Sequence, residues 1–424
     1  MAQVYETATL SNGIRVLTAP IPHAQSVSCF LMIAAGSRYE TRETNGIAHF
    51  AEHMFFKGTE RRPRSRDITM TVDAIGGEIN AFTSKEYTGY YVRCGSERRD
   101  VAFDVLLDMI RHSKFEPEEI EREKGVIVEE MNMYYDTPRD FIGGVYDELL
   151  YGDQPLGWHV IGHEDTVRAA TRDTFFDYID RWYKPERILI GVGGRIEGDV
   201  VAELEGLLGD LEPAPTDAPP GTAEADGSGP RVKLQTKQSD QAHICLGVRG
   251  YPLVHPDRYV VQLLTTILGG GMSSRLFTEV RERRGLAYYV FGFHNAYTDA
   301  GSLLAQAGVD IERIDEAIET IVRELRRIAE EPVPAEELET ARNSTKGRFA
   351  LQLESPHALL MFGLRRAVLE GVPTEPDQVV AGLDAVTAED LQRVAGDLLG
   401  DTPMNLALVG PFDDAQRFEQ LLAG

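Results

Sequence analysis

The chain has 424 residues and a formal net charge of −25, with 42% hydrophobic and 26% charged residues. That length exceeds one ordinary domain, and the apolar share is enough to build a core. So acidic a chain is a poor match for nucleic acid or an anionic membrane surface, which both call for basic patches, whereas cationic peptides suit it.

No run reaches the roughly 18 consecutive apolar residues of a membrane span. The opening MAQVYETATLSNG lacks a basic segment followed by an apolar one, so no signal peptide is expected and the expected location is the cytoplasm. Cys29, Cys94 and Cys245 are far apart and form no CxxC pair. They are expected as small buried thiols in a reducing compartment.

In chain order, strand-like runs fall at 14–19, 27–34, 87–94 and 189–192. Longer periodic patterns between them predict helices, including 98–112 and 117–135. At 212–230 the sequence EPAPTDAPPGTAEADGSGP is rich in Pro, Gly, Ala and acid. It has no hydrophobic period, which is linker composition. Beyond it come strand-like runs at 242–248, 288–293, 302–308 and 405–409, and a helical pattern at 311–330. The expected division is a first domain at 1–211, a linker at 212–230 and a second domain at 231–424.

The halves share an order of signals. Pro117-Glu-Glu-Ile-Glu121 is echoed by Pro334-Ala-Glu-Glu-Leu-Glu339, and Asp136-Thr137-Pro138 by Glu354-Ser355-Pro356. Thr171-Arg-Asp-Thr-Phe175 is echoed by Thr387-Ala-Glu-Asp-Leu391, and Leu189-Ile-Gly-Val-Gly193 by Leu406-Ala-Leu-Val-Gly410. The offset stays within 216 to 218. Four matches in order at one offset indicate duplication. The expected fold is α+β with two duplicated domains, each a mostly antiparallel sheet with helices packed on one face.

Residues 44–57 read TNGIAHFAEHMFFK. Asn45 is the expected cap of a helix starting at Gly46. Ile47, Phe50, Ala51 and Met54 fall on one face, and His49, Glu52 and His53 on the other. Imidazoles at i and i+4 are neighbours on a helix, so both can reach one ion at about 2.0–2.1 Å. Glu52 points at the same space, slightly to the side, where it can take a proton from the ion's water. This is His-x-x-Glu-His, the inverse of the commoner zinc order.

Two histidines leave zinc one protein ligand short. In PEEIEREKGVIVEEMNMYYD at 117–136, Glu123 and Glu130 are seven apart and share a helix face. Glu130 can supply a carboxylate, and Glu123 can orient a ligand histidine. On so charged a helix, either acid alone would read as solvated surface.

The chain resembles the M16 metallopeptidases, the family of pitrilysin and the mitochondrial processing peptidase. The resemblance rests on HFAEHMFFKGT at 49–59, GGEINAFTSKEYTGYY at 76–91, EREKGVIVEEMNMYYDTP at 121–138 and GGGMSSRLFTEVRERRGLAY at 269–288. It covers both halves, and the length is similar to the short bacterial subfamily, whose subunits pair. The resemblance implies a LuxS/MPP-like metallohydrolase fold and one Zn2+ per chain. Its ligands would be His49, His53 and Glu130, with Glu52 as base and Glu123 in support. The second half has no His-x-x-Glu-His, and Gly347 stands at the place offset by 217 from Glu130, so only the first half is expected to bind metal.

The resemblance further implies that the strand after Gly76-Gly77 lies beside the zinc. An extended substrate would add to it through Asn80 and Ala81. Arg281 and Tyr288 would serve the substrate from the second half. Tyr288 would hydrogen-bond the scissile region, and Arg281 would fix a substrate carbonyl or the tyrosine itself. The implied activity is endopeptidase cleavage of peptides or unfolded chains inside a chamber of paired domains. The implied assembly is a homodimer, or a heterodimer with a related M16 subunit.

Two other motifs are set aside. Gly269-Gly270-Gly271 lacks the Gly-Lys-Ser/Thr ending of a phosphate loop, so it reads as a helix stop. His159 and His163 have glycines before and between them and no preceding glutamate, so they read as structural. Two rival functions stay in view. A catalytically silent assembly subunit would carry neither metal nor activity. A zinc hydrolase of a non-peptide substrate would bind zinc yet cut no unstructured peptide.

Overall fold

The computed structural model describes residues 3–223 and 231–423. The first half runs β1 (Glu6–Thr9), β2 (Arg15–Pro20), β3 (Ser26–Ile33), α1 (Ile47–Phe55), α2 (Ser65–Asp73), β4 (Glu78–Thr83), β5 (Thr88–Gly95), α3 (Arg99–His112), α4 (Pro117–Asp136), α5 (Pro138–Tyr151), α6 (Glu164–Ala169), α7 (Arg172–Trp182), β6 (Ile188–Gly194) and α8 (Val200–Leu208). The second runs β7 (Arg231–Thr236), β8 (Ala242–Gly250), α9 (Arg258–Gly269), β9 (Ala287–Ala296), β10 (Gly301–Val309), α10 (Ile314–Glu330), α11 (Ala335–Gln352), α12 (Pro356–Glu370), α13 (Pro376–Ala385), α14 (Ala388–Leu399), β11 (Asn405–Gly410) and α15 (Ala415–Ala423).

The duplication is visible in the sheets. The first has order β1-β2-β6-β3-β5-β4 and the second β7-β11-β8-β10-β9. β2 pairs with β6 in parallel, as β7 does with β11. Every other pairing is antiparallel, with β3–β5 matched by β8–β10 and β5–β4 by β10–β9. The expected α+β fold with two duplicated, mostly antiparallel sheets is the one observed.

Side chains alternate across each strand, so one strand feeds two cores. In β3, Val27, Cys29, Leu31 and Ile33 join a core with residues of α1, α3 and α7. Phe30 and Met32 face the other way, toward Leu360, Leu364 and Ala367 of α12. Burial on both faces is why these strands read as nearly continuous apolar runs. In β6, glycines make room for α12. A Cβ on Gly191 would sit 2.5 Å from Leu364 Cδ1, and one on Gly193 would sit 2.8 Å from Leu360 Cβ.

Helix α12 follows the linker in sequence yet covers the first sheet. Helix α5 precedes the linker yet packs on β7, β8 and β11, through Ile142, Val145, Tyr146 and Leu150. The compact units therefore trade chain. One holds Met1–Asn132, His159–Pro220 and Ala350–Asp377. The other holds Met133–Trp158, Gly221–Phe349 and Gln378–Gly424. Each half's own helices cover one face of its sheet, and the exchanged helix covers the other.

Residues 224–230 of the expected linker lie outside the described residues. The stretch before them is tied to the first unit. Arg38 donates from Nε and Nη2 to Pro220 O at 3.1 and 2.8 Å, and Arg181 pairs with Asp217 at 2.7 Å. The three cysteines are buried and free. Among the described residues no helix is long and apolar enough to cross a membrane.

Candidate metal centre

Helix α1 is seated by its apolar face. Phe50 packs edge-on against Phe175 at 4.8 Å and Phe55 against Tyr90 at 5.3 Å. Ile47, Ala51 and Met54 are also buried. With that face fixed, His49, Glu52 and His53 turn outward and stay partly accessible.

The start of the helix corrects one expectation. Asn45 does not cap it; Gly46 is the N-cap residue and makes no side-chain cap. The buried Glu40 carboxylate takes over, accepting from Gly46 N at 2.8 Å and Ala48 N at 2.7 Å. Asn45 instead donates from Nδ2 to Glu40 Oε2 and to His159 O. Gly46 has φ +98°, and a Cβ there would lie 2.7 Å from Ile161 O, so glycine is required. Burial pushes the Glu40 carboxyl up to about 8, against the pull of its hydrogen bonds.

Helix α4 begins at Pro117 with Glu118 and Glu119 in its first turn, both favourable there. It buries Ile120, Ile127 and Val128 together with Glu123 and Lys124. Seven residues make about two turns, so Glu123 and Glu130 stand in one row against α1.

The three expected ligands come together. Their ligand atoms all lie within 4.8 Å of one another, the one such group of His, Cys, Asp and Glu among the described residues. His49 Nε2 is 3.7 Å from Glu130 Oε1, and His53 Nε2 is 3.5 Å from Glu130 Oε2. Donors at about 2.0–2.2 Å from a tetrahedral zinc lie roughly 3.3–3.6 Å apart; the two imidazole–carboxylate pairs, one on each Glu130 oxygen, are near that spacing, and the set, within 4.8 Å overall, would draw in around such an ion. Two imidazoles and one carboxylate leave a fourth position open, the pattern of catalytic rather than structural zinc.

The protonation state of His49 suits the same role. Burial, followed by the neighbouring His53, pushes His49 down to about 3, so it is neutral at pH 7 as a ligand must be. Burial raises Glu130, against the pull of His53. Burial would also raise Glu123, but hydrogen bonds with His53 and Lys57 outweigh it and leave it below the usual carboxylate range. Glu123 Oε1 lies 2.9 Å from His53 Nδ1, which turns Nε2 of that ring toward the donor group.

Glu52 accepts a hydrogen bond from Thr83 Oγ1 at 2.5 Å. Burial raises its pKa, while Thr83 and His53 oppose the rise. Thr83 ends β4, and Lys57 lies just past α1, 2.5 Å from Glu123 Oε2. Sequence reasoning passed over both, although Lys57 stands only four residues after His53.

Asn80 and Ala81 lie on β4, the edge strand of the first sheet, bonded only to β5. Asn80 is exposed, and its Oδ1 accepts from Ala81 N at 2.8 Å. Arg281 and Tyr288 belong to the second unit. Arg281 lies in a π-helical turn (Phe277–Glu282), its guanidinium 5.5 Å from the Tyr288 ring and 4.9 Å from that of Phe277. Tyr288 is 71% exposed near the start of the edge strand β9. His159 and His163 precede α6 in non-helical chain, with their rings edge-on at 6.3 Å.

A duplicated α+β chain that among its described residues holds one two-histidine, one-carboxylate group, in the first half, defines the class: a two-domain metallohydrolase. Residues 15–164 match the family model described as Insulinase (Peptidase family M16), and 169–345 match that of the Peptidase M16 inactive domain. The chain is 36% identical over 410 residues to YmxG of Bacillus subtilis, named an uncharacterised zinc protease, spanning 95% of this chain and 97% of that protein. It is 35% identical over 415 residues to an uncharacterised zinc protease of Streptomyces coelicolor, spanning 96% and 90%. A crystal structure of a protease from Helicobacter pylori superposes with a TM-score of 0.88 at 24% identity, covering 96% of this chain and 99% of that one. The chain belongs to peptidase family M16, in its short bacterial form.

Proposed function

We propose that this protein is a zinc-dependent endopeptidase acting on peptides or unfolded polypeptides. The observation that carries the reading is the convergence of His49, His53 and Glu130 within 4.8 Å, beside a glutamate held by Thr83. The names of the relatives, uncharacterised zinc proteases, support zinc and proteolysis.

His49, His53 and Glu130 would hold one zinc ion. When bound, zinc supplies Lewis acidity, acidifying water and polarising the scissile carbonyl. Glu52 takes the proton of the attacking water and later delivers it to the leaving amine as the C–N bond breaks. A partly buried carboxyl with a raised pKa suits that double duty, since the rise makes it a stronger base toward the water's proton. Thr83 keeps Oε2 of Glu52 in place. Glu123 keeps the His53 ring turned.

The free edge of β4 offers an extended peptide main-chain partners at Asn80 and Ala81. Tyr288, exposed and steadied by Arg281 through a cation–π contact, is the proposed hydrogen-bond donor to the reacting carbonyl. We extend the proposal to a homodimer, because one chain carries both the metal set and the Arg281/Tyr288 pair.

The test is incubation of the purified protein with a mixed peptide library, with and without a chelator, and mapping of the cuts by mass spectrometry. Cleavage that stops with chelator and returns with zinc is expected. Bound zinc without any cleavage would favour a non-peptide hydrolase, and absence of both metal and cleavage an assembly subunit.

A further inference from the structure

His53 is held from behind by two contacts in series. Its Nδ1 meets Glu123 Oε1 at 2.9 Å, and Glu123 Oε2 meets Lys57 Nζ at 2.5 Å. The Glu123 side chain is 5% exposed, and that of Lys57 25%. A carboxylate so far out of water keeps one orientation only when both oxygens are engaged. Here each oxygen has a different partner. Lys57 lies one turn past His53, its N–H bonded to Met54 O at 3.0 Å, while Glu123 comes from α4. The lysine therefore closes a bridge between the helix of the two histidines and the helix of Glu130.

Resting on the zinc reading above, we propose that Lys57 is a positioning residue of the metal centre, acting on His53 through Glu123. Without its ammonium, Glu123 Oε2 loses its partner and the carboxylate can turn away from His53 Nδ1. The imidazole then loses the contact that fixes its tautomer and aims Nε2 at the donor group.

The sign of the effect separates this role from bulk charge. A lysine that acted only as a nearby cation would repel a divalent ion, so its removal would tighten metal binding. A positioning lysine gives the opposite: its removal weakens binding.

The experiment measures the zinc dissociation constant of the full chain by competition with a chromophoric chelator. The proteins are the wild type, Lys57→Met, Lys57→Gln, Lys57→Arg, Glu123→Gln and the Lys57→Met/Glu123→Gln double variant. The urea midpoint of each metal-free protein identifies any that fails to fold, and the two neutral replacements substitute for one another. Removing the ammonium is expected to weaken zinc roughly tenfold, the lower range for groups that orient a ligand. Arginine is expected to restore most of the loss. In the Glu123→Gln background, Lys57→Met is expected to change affinity by less than about twofold, because the path is already cut.

Unchanged or tighter zinc binding in both neutral variants would overturn the proposal, and so would an equal loss in the Glu123→Gln background. A wild type that binds no zinc would overturn the metal assignment itself. A wild type that binds zinc normally while both neutral variants match it would overturn the Lys57 role alone.

Discussion

Thr83 Oγ1 and Glu52 Oε2 lie 2.5 Å apart, so the last residue of β4 holds the carboxylate projecting from α1. The strand expected to receive substrate thus also fixes the proposed base. Through this contact, displacement of β4 would reach the proposed chemistry, with Glu52 one residue from His53, a proposed metal ligand.

Glu52→Gln preserves shape and removes the proton acceptor. Zinc content is expected to stay at the wild-type level while kcat falls by about 10²–10⁴, the usual share of general acid–base catalysis. Metal analysis beside steady-state peptide cleavage reads both. Normal turnover in this variant would remove Glu52 as base.

Thr83→Val deletes the hydroxyl with little change of shape. A kcat lowered by about tenfold is expected, with KM changed much less, because one hydrogen bond to a charged group is worth about 1.5–3 kcal/mol and part is recovered by water. Thr83→Ser is expected to restore most of the rate. A loss confined to KM would show that Thr83 serves the substrate strand rather than Glu52.

Stability of the metal-free protein should depend on pH through His49. Its folded pKa is pushed from 6.5 to about 3 by burial, then by His53. Above pH 6.5 the ring is neutral in both states and contributes no slope. Between 6.5 and about 3 the unfolded chain binds the proton and the folded one does not, so stability falls with pH. The decline is expected to approach about 1.4 kcal/mol per pH unit at most. Urea unfolding of the metal-free wild type and His49→Leu across this window checks it. Parallel curves for the two proteins would sink the assignment.

The exchanged helix should matter to the first sheet. Leu364 is fully buried against Gly191, so Leu364→Ala leaves a cavity in a core that α12 closes. A loss of about 2–5 kcal/mol is expected. Gly191→Val overfills the same place and should cost about 1–3 kcal/mol. Urea denaturation of both variants measures this. A change within about 0.5 kcal/mol in each, as at an ordinary surface site, would mean that α12 is not part of that core.

Regular spacing made much of this protein legible before its fold was seen. The i, i+4 step between His49 and His53 and the seven-residue step from Glu123 to Glu130 follow from helix pitch, a local property. The strand runs at 27–34 and 189–192 and the helix at 117–135 were visible for the same reason, and so was the duplication. Asn45 misled because capping preference is statistical, whereas the observed cap is Glu40, which the fold brings back against the helix start.

By itself, then, the sequence determined which residues share a face, and with it the family likeness. Tertiary structure decided which faces meet. Only the packing of α1 against α4 brings Glu130 within 3.7 Å of His49 and 3.5 Å of His53 and engages Lys57 with Glu123. The strand pairing that ends in β4 brings Thr83 to Glu52. The trade of α5 and α12 between the two sheets has no local signature either, because each helix carries the same apolar pattern whichever sheet it covers. The physical reason is range: periodicity acts within a few turns of one segment, while these contacts join residues dozens to hundreds of positions apart.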